Sequence, residues 1–224
     1  MPSRNIVKNY VEGGYYHIYN RGVEKREIFK DESDCRIFLH YIMLYLSPVD
    51  QILQKYPDKI RIRRFIKSNL SEEVELFCFS LMPNHFHFLI KQNSKDGIIK
   101  FMRRLMTSYV MYFNKKYDRV GSLLQGKYKA VNVDKDEYLL HLTRYIHLNP
   151  FEINSNINFK EFSSYQYYLG TRHPSWIKPE KILEYFSVKD KEYNTISYKS
   201  FVEDLRIDSS ETLGDLMLDD KVRP

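Results

Sequence analysis

The stretch "EVELFCFSLMPNHFHFLIKQ", residues 73–92, limits what this 224-residue chain can fold into more than any other. Two apolar runs flank Pro83-Asn84, which favours a turn, so the segment reads as two neighbouring strands. On a strand, residues i and i+2 share a face. His85 and His87 therefore project together, while Phe86 and Phe88 project to the other side. The aromatic side belongs to a core, and the histidine side is expected to open to solvent. Neutral imidazole is the commonest metal ligand, and two on one face supply half of a coordination sphere. The alternative is structural, with one ring bonded to a backbone carbonyl and the other reaching the surface.

The flanking segments extend this hairpin into a fold. "GGYYHIYNRG" reads as a first strand bounded by glycines. "SDCRIFLHYIMLYLS" carries apolar residues at helical spacing, has a capping signal at Ser33 or Asp34, and stops before Pro48. Residues 50–71 are basic and weakly patterned, a loop or helical insertion. Ile98, Met102, Leu105, Tyr109 and Tyr112 mark a long amphipathic helix that runs to about Tyr117. "GKYKAVNV" is a fourth strand. A helix follows, with Asp134 and Glu137 spaced as a capping box and Pro150 at its end. The first six elements, β-α-β-β-α-β, imply an α+β, ferredoxin-like antiparallel sheet with helices on one face. Shorter amphipathic pieces follow Phe151, so residues 1–150 are expected to form the main domain and 151–224 a helical C-terminal extension.

Length and an apolar content of 43% suit one packed domain with additions, or two small ones. Only Cys35 and Cys78 occur, far apart, which argues against a disulfide framework or a structural zinc site. No apolar stretch is long enough to span a bilayer, and "MPSRNIVKNY" lacks a signal-peptide core. A soluble cytoplasmic protein with reduced core cysteines is expected.

The net charge of +6 is unevenly spread. Residues 100–129 hold eight Lys or Arg against one acid, and residues 52–67 hold six against one. Residues 203–220 reverse this, with seven acids and one base. Basic segments interleaved with tyrosine suit a nucleic-acid surface, although a solvated helix face would look the same in sequence.

In the helix after the fourth strand, Tyr145 and Asn149 lie four residues apart and share a face, with His141 one turn earlier. Asn149 can lend an amide oxygen to a divalent metal beside His85 and His87. Tyr145 would then stand one turn from the metal. A phenol attacks poorly near neutral pH unless a metal or base helps remove its proton. Read alone, the two residues are better taken as a core tyrosine and a C-terminal asparagine cap before proline.

These residues carry a resemblance. "MPNHFHFLI" resembles the His-hydrophobic-His strand of the HUH single-tyrosine transposases. "YLLHLTRYIHLNP" resembles the tyrosine helix of their REP-associated branch. "YYHIYNRG", "GSLLQGKYKA" and "FSSYQYYLG" match as well, so the likeness runs from Tyr15 to Gly170. It implies metal-dependent cleavage of single-stranded DNA, with His85, His87 and Asn149 as ligands for Mg²⁺ or Mn²⁺ and Tyr145 as nucleophile. Some insertion-sequence relatives have glutamine where Asn149 stands. The resemblance implies a nucleoid-associated enzyme acting on DNA hairpins next to a single-stranded tag. Some relatives are dimers that exchange the tyrosine helix, so a homodimer is one form to expect. Arg103, Arg104, Lys115, Lys116 and Lys127 are the expected backbone contacts. The rival readings are a non-catalytic DNA or RNA binding module on the same fold, and a His-x-His hydrolase of small phosphoesters.

Overall fold

The computed structural model describes residues 10–56, 59–170, 174–186, 197–204 and 213. Four strands form one antiparallel sheet in the order β2-β3-β1-β4: β1 (Tyr15–Arg21), β2 (Val74–Met82), β3 (His85–Gln92) and β4 (Lys129–Val133). This is the ferredoxin-like order. The alternation in "HFHFLI" sets the two faces, as the spacing requires. Phe86, Phe88 and Ile90 join Tyr16 and Ile18 in the larger core. That core is capped by α1 (Glu32–Leu46) and α4 (Gly97–Lys116), which supply Phe38, Ile42, Phe101 and Tyr109.

The basic insertion between α1 and β2 is helical, folding as α2 (Val49–Lys55) and α3 (Lys59–Lys67). Two capping expectations need correction. The α1 cap is Asp31 rather than Ser33 or Asp34. Its carboxylate accepts from the Asp34 N–H at 3.0 Å, and Asp34 in turn accepts from the Asp31 N–H at 3.4 Å. Asp34 thus occupies the third helical position of a reciprocal box. The helix carrying Tyr145, α5 (Asp136–Leu148), begins at Lys135, which makes no side-chain cap. Asp134 stands before that start, out of the capping position. Asp136 and Glu137 instead place negative charge in the first turn, where the helix dipole favours it.

The opposite face of the sheet, with Phe77, Cys78 and Leu89, is covered by α5 through Leu139, Leu142 and Ile146. Residues after Pro150 enter both cores. Phe159 and Phe162 pack in the first and Tyr165 and Tyr168 in the second, so this segment wraps the β2 edge. Ser163 bridges to Ser80, and the Ser164 N–H donates to the Phe79 carbonyl at 2.9 Å. An otherwise open strand edge is thereby closed. The short helices α6 (Tyr165–Tyr168), α7 (Glu180–Leu183) and α8 (Tyr198–Glu203) complete the described extension. Of the expected acidic tail, only Glu203, Asp204 and Leu213 fall within the described residues. Cys35 and Cys78 are both buried free thiols.

The back of α5 is tied to this extension by polar groups. His147, fully buried, shares hydrogen bonds with the Tyr198 hydroxyl and the Ser164 hydroxyl, each at 2.7 Å. Arg144 donates to the Phe201 and Asp204 carbonyls at 3.0 and 2.7 Å, satisfying the C-terminal end of α8. Burial pushes the His147 pKa from 6.5 down to about 3. An unfolded chain takes up this proton near pH 6.5, whereas the folded one resists until about pH 3. The stabilisation is therefore complete above pH 6.5 and is lost as pH falls between those values. Urea unfolding at pH 7 and pH 5 should show a loss of up to about 1.4 kcal/mol per pH unit from this imidazole. In His147→Gln the slope should be shallower, and an unchanged slope would refute the assignment.

Candidate active site

The β1–β3 register decides which side chains meet. Arg21 pairs with His85 and Tyr19 with His87, all on the face covered by α5. His17 lies on the same face of β1, and its Nε2 stands 2.9 Å from His87 Nδ1. His17 and His87 are both fully buried. This corrects the expectation of a solvent-facing pair, because α5 lies over the histidine face and only His85 retains partial exposure.

Above these rings, Tyr145 packs edge-on, its ring centre 5.5 Å from that of His87 and 6.3 Å from that of His17. Asn149 ends α5, and its backbone N–H donates to the Tyr145 carbonyl. The turn that Asn149 begins, Asn149–Glu152, packs on β2. His141, placed on the same face from spacing, instead packs against Phe201 at 5.7 Å and belongs to the α8 contact.

Electrostatics keep the imidazoles neutral. Burial, reinforced by the Arg21 charge, pushes the His85 pKa down to about 3. Burial drives His87 well below its ordinary value, with His85, His17 and Arg21 adding to the effect. Neutral rings are the metal-binding form. Arg21 itself is lowered by burial, an effect opposed by Tyr145, which marks a cation beside the phenol.

The residues fit a divalent cation. His87 Nε2 is buried and has no hydrogen-bond partner among the described residues, and Asn149 Nδ2 is in the same condition. Rotating an amide by 180° exchanges its nitrogen and oxygen, so Asn149 can offer either atom as a partner. His85 Nδ1 lies 2.6 Å from Asn84 Oδ1. Since Asn84 Oδ1 can only accept, His85 donates through Nδ1 and keeps a lone pair on Nε2. If His87 Nδ1 likewise donates to His17, both rings aim Nε2 lone pairs from one face, held by outer-shell partners. Among the described residues, no group of three His, Cys, Asp or Glu side chains could hold a metal. The candidate set is therefore two imidazoles and one amide.

His17 and Arg21 were missed in the sequence reading. Both lie in "YYHIYNRG" at alternate positions, but only the pairing of β1 with β3 brings them to the histidines. The five expected DNA contacts separate. Arg103 and Lys127 line one cavity, and Lys115 is exposed on α4. Arg104 donates to the Ser68 carbonyl at 2.7 Å, and Lys116 pairs with Asp31 and Asp34 at 2.6 and 2.8 Å. The charges of Arg104 and Lys116 thus hold α4 against its neighbours.

Fold and site together define a ferredoxin-like α+β protein whose His-hydrophobic-His strand faces a tyrosine on the helix covering it. The chain belongs to the IS200-like transposase family, described as "Transposase IS200 like", which residues 10–149 match. No curated protein matches the sequence. Among solved structures, a REP-associated tyrosine transposase bound to a REP hairpin aligns with a TM-score of 0.47 at 13% identity. That alignment covers 79% of this chain and 92% of the other. No helix among the described residues is long and apolar enough to cross a membrane.

The His17–His87 contact yields a direct test. Losing an outer-shell partner of a ligating histidine typically weakens metal binding by about 10–100-fold. Mn²⁺ titration calorimetry on His17→Leu should show a loss in that range while far-UV circular dichroism stays native. Wild-type affinity in this variant would remove His17 from any orienting role.

Proposed function

We propose that this family member is a single-stranded DNA transposase of the REP-associated branch, nicking and rejoining hairpin-flanked DNA through a 5′-phosphotyrosine on Tyr145. One observation carries the reading: the Tyr145 ring packs on His87, whose buried Nε2 has no hydrogen-bond partner among the described residues. A buried polar atom left unpaired is unfavourable, so it marks a site where a ligand is expected.

His85, His87 and Asn149 would hold Mg²⁺ or Mn²⁺, which when bound supplies Lewis-acid polarisation of the scissile phosphate. The protein's own groups account for the rest. The buried His17–His87 face holds Tyr145 against the sheet, so that the nucleophile is positioned before DNA arrives. Arg21 places a permanent positive charge beside the phenol, favouring the phenolate and offering donors to a phosphate oxygen. Tyr145 Oη attacks phosphorus as its proton passes to solvent. The Oη–P bond forms while the P–O3′ bond breaks, and the departing O3′ takes up a proton from solvent, leaving a 3′ hydroxyl and a 5′ phosphotyrosine. Because the phosphoester is retained, a second 3′ hydroxyl can reverse the step and join strands without ATP.

The test is a cleavage assay on hairpin-flanked single strands with Mn²⁺, resolving the covalent protein–DNA adduct by denaturing electrophoresis. Tyr145→Phe should bind the hairpin and form no adduct. An adduct that persists, or that maps to Tyr138 or Tyr128, would overturn the assignment. Hairpin binding by the wild type with no cleavage under any divalent metal would favour the binding-module reading.

A second expectation concerns the ligands. His85→Ala and His87→Ala should lose Mn²⁺-dependent cleavage. His87→Ala should also lower stability by about 1–3 kcal/mol, because it removes the buried hydrogen bond to His17 and leaves a void where the ring packed. Asn149→Ala should be milder in activity, since water can replace one neutral oxygen ligand. Full cleavage by His87→Ala at limiting Mn²⁺ would exclude this site.

A further inference from the structure

On the other face of the sheet, behind the end of β1 that carries Arg21, lies a cavity of about 480 Å³. Its floor is apolar, built from Met102 and Met106 of α4 and from Leu124. Tyr128 forms an aromatic wall, and the exposed cations Arg103 and Lys127 line it as well. The two faces are joined here by one short piece of backbone. Asn20, which lines this cavity, accepts from the Arg21 N–H through Oδ1 at 2.8 Å and donates to the Gly126 carbonyl at 3.3 Å. The Gln125 N–H donates to the Arg21 carbonyl at 2.8 Å. The wall of the cavity and the arginine of the candidate active site are thus neighbours along the chain.

Positive charge continues between them. Lys129 lies over the Tyr19 ring at 5.7 Å, and Tyr19 packs beside His87 at 5.9 Å. Lys127, two residues earlier, lines the cavity, as does Arg103. Lys129, Lys127 and Arg103 mark a path from the candidate active site around the sheet edge into the cavity.

We infer that this cavity is a subsite for one unstacked nucleobase of the single strand flanking the hairpin, with Lys127 and Arg103 holding its adjacent phosphates. The inference rests on the transposase reading above and adds a recognition site to it. An apolar pocket beside convergent polar groups is the usual form of a small-ligand site. Aromatic faces stack any base, and methionine adapts to flat, irregular shapes. Cations at the mouth select an anionic ligand, so a base attached to its phosphates suits the site better than a neutral molecule. A base held here would lie within a few nucleotides of the phosphate at Tyr145 and would set which linkage is cut.

The test uses full-length protein carrying Tyr145→Phe, which cannot cleave, and hairpin DNA with 2-aminopurine scanned through the flanking strand. One position should change fluorescence on binding where its neighbours do not. Met106→Trp, which fills the cavity, should abolish that response and weaken binding of the flanked hairpin by about tenfold, the scale of one lost base stack. Arg103→Ala/Lys127→Ala alters only exposed side chains and guards against a misfolded Met106 variant. It should flatten the slope of log K against log salt by about 1.4, or about 0.7 for each single-strand phosphate contact. If the flanked hairpin binds but no position responds, or if the response survives Met106→Trp, the subsite is refuted while the transposase reading stands. An unchanged salt slope in the double variant would likewise remove the two cations from the path. Failure of the wild type to bind any hairpin would refute the proposed function, and the subsite with it.

Discussion

His17 and His87 share a buried hydrogen bond in the middle of the sheet, and the β1–β3 register that makes it organises the rest of the candidate site. With Tyr19 opposite His87 and Arg21 opposite His85, every chemically active side chain of the two strands falls on the face that α5 covers. A slip of one residue would send these groups into the Phe86 and Phe88 layer and the phenylalanines onto α5. The two cores therefore act together to hold the register. Burial on both faces also makes any unpaired polar atom unfavourable, and among the described residues His87 Nε2 and Asn149 Nδ2 have no hydrogen-bond partner, as the proposed ligand role requires.

The proposed nucleophile sits on a separate helix and is positioned only if that helix is held, and α5 is held from both sides. Its apolar stripe packs on Phe77, Cys78 and Leu89 of the sheet. Its outer side is tied to the C-terminal segment through His147 and Arg144. Neutral His147 bonds two hydroxyls at once, which suits a buried site where a charged ring would be strongly disfavoured. The segment after Pro150 thus closes the β2 edge and braces the tyrosine helix, which links a peripheral element to the position of Tyr145.

The basic residues show how differently clustering reads in sequence and in space. Residues 100–129 look like one positive surface, yet Lys116 neutralises the α1 cap and Arg104 satisfies a backbone carbonyl in the insertion. Arg103 and Lys127, well apart in sequence, share one cavity. A DNA path is better drawn from the cations left over once the fold's own requirements are met.

Sequence by itself determined the local physics. Period-two alternation in "HFHFLI" set the two faces of β3, and helical spacing put Tyr145 and Asn149 on one turn of α5. The order of elements specified a ferredoxin-like sheet, and the ordered motifs pointed to the family. Cap positions were less legible, because Asp31, Ser33, Asp34 and Asp134 are all chemically able to cap, and backbone geometry chooses among them. Only the tertiary structure decided that α5 would bury the histidine face, and that His141 would turn towards α8. It alone brought His17 and Arg21, about 65–70 residues away in the chain, to His87 and His85. The physical reason is that alternation fixes which face a side chain takes, whereas strand register and helix docking, which are non-local, fix what it meets there.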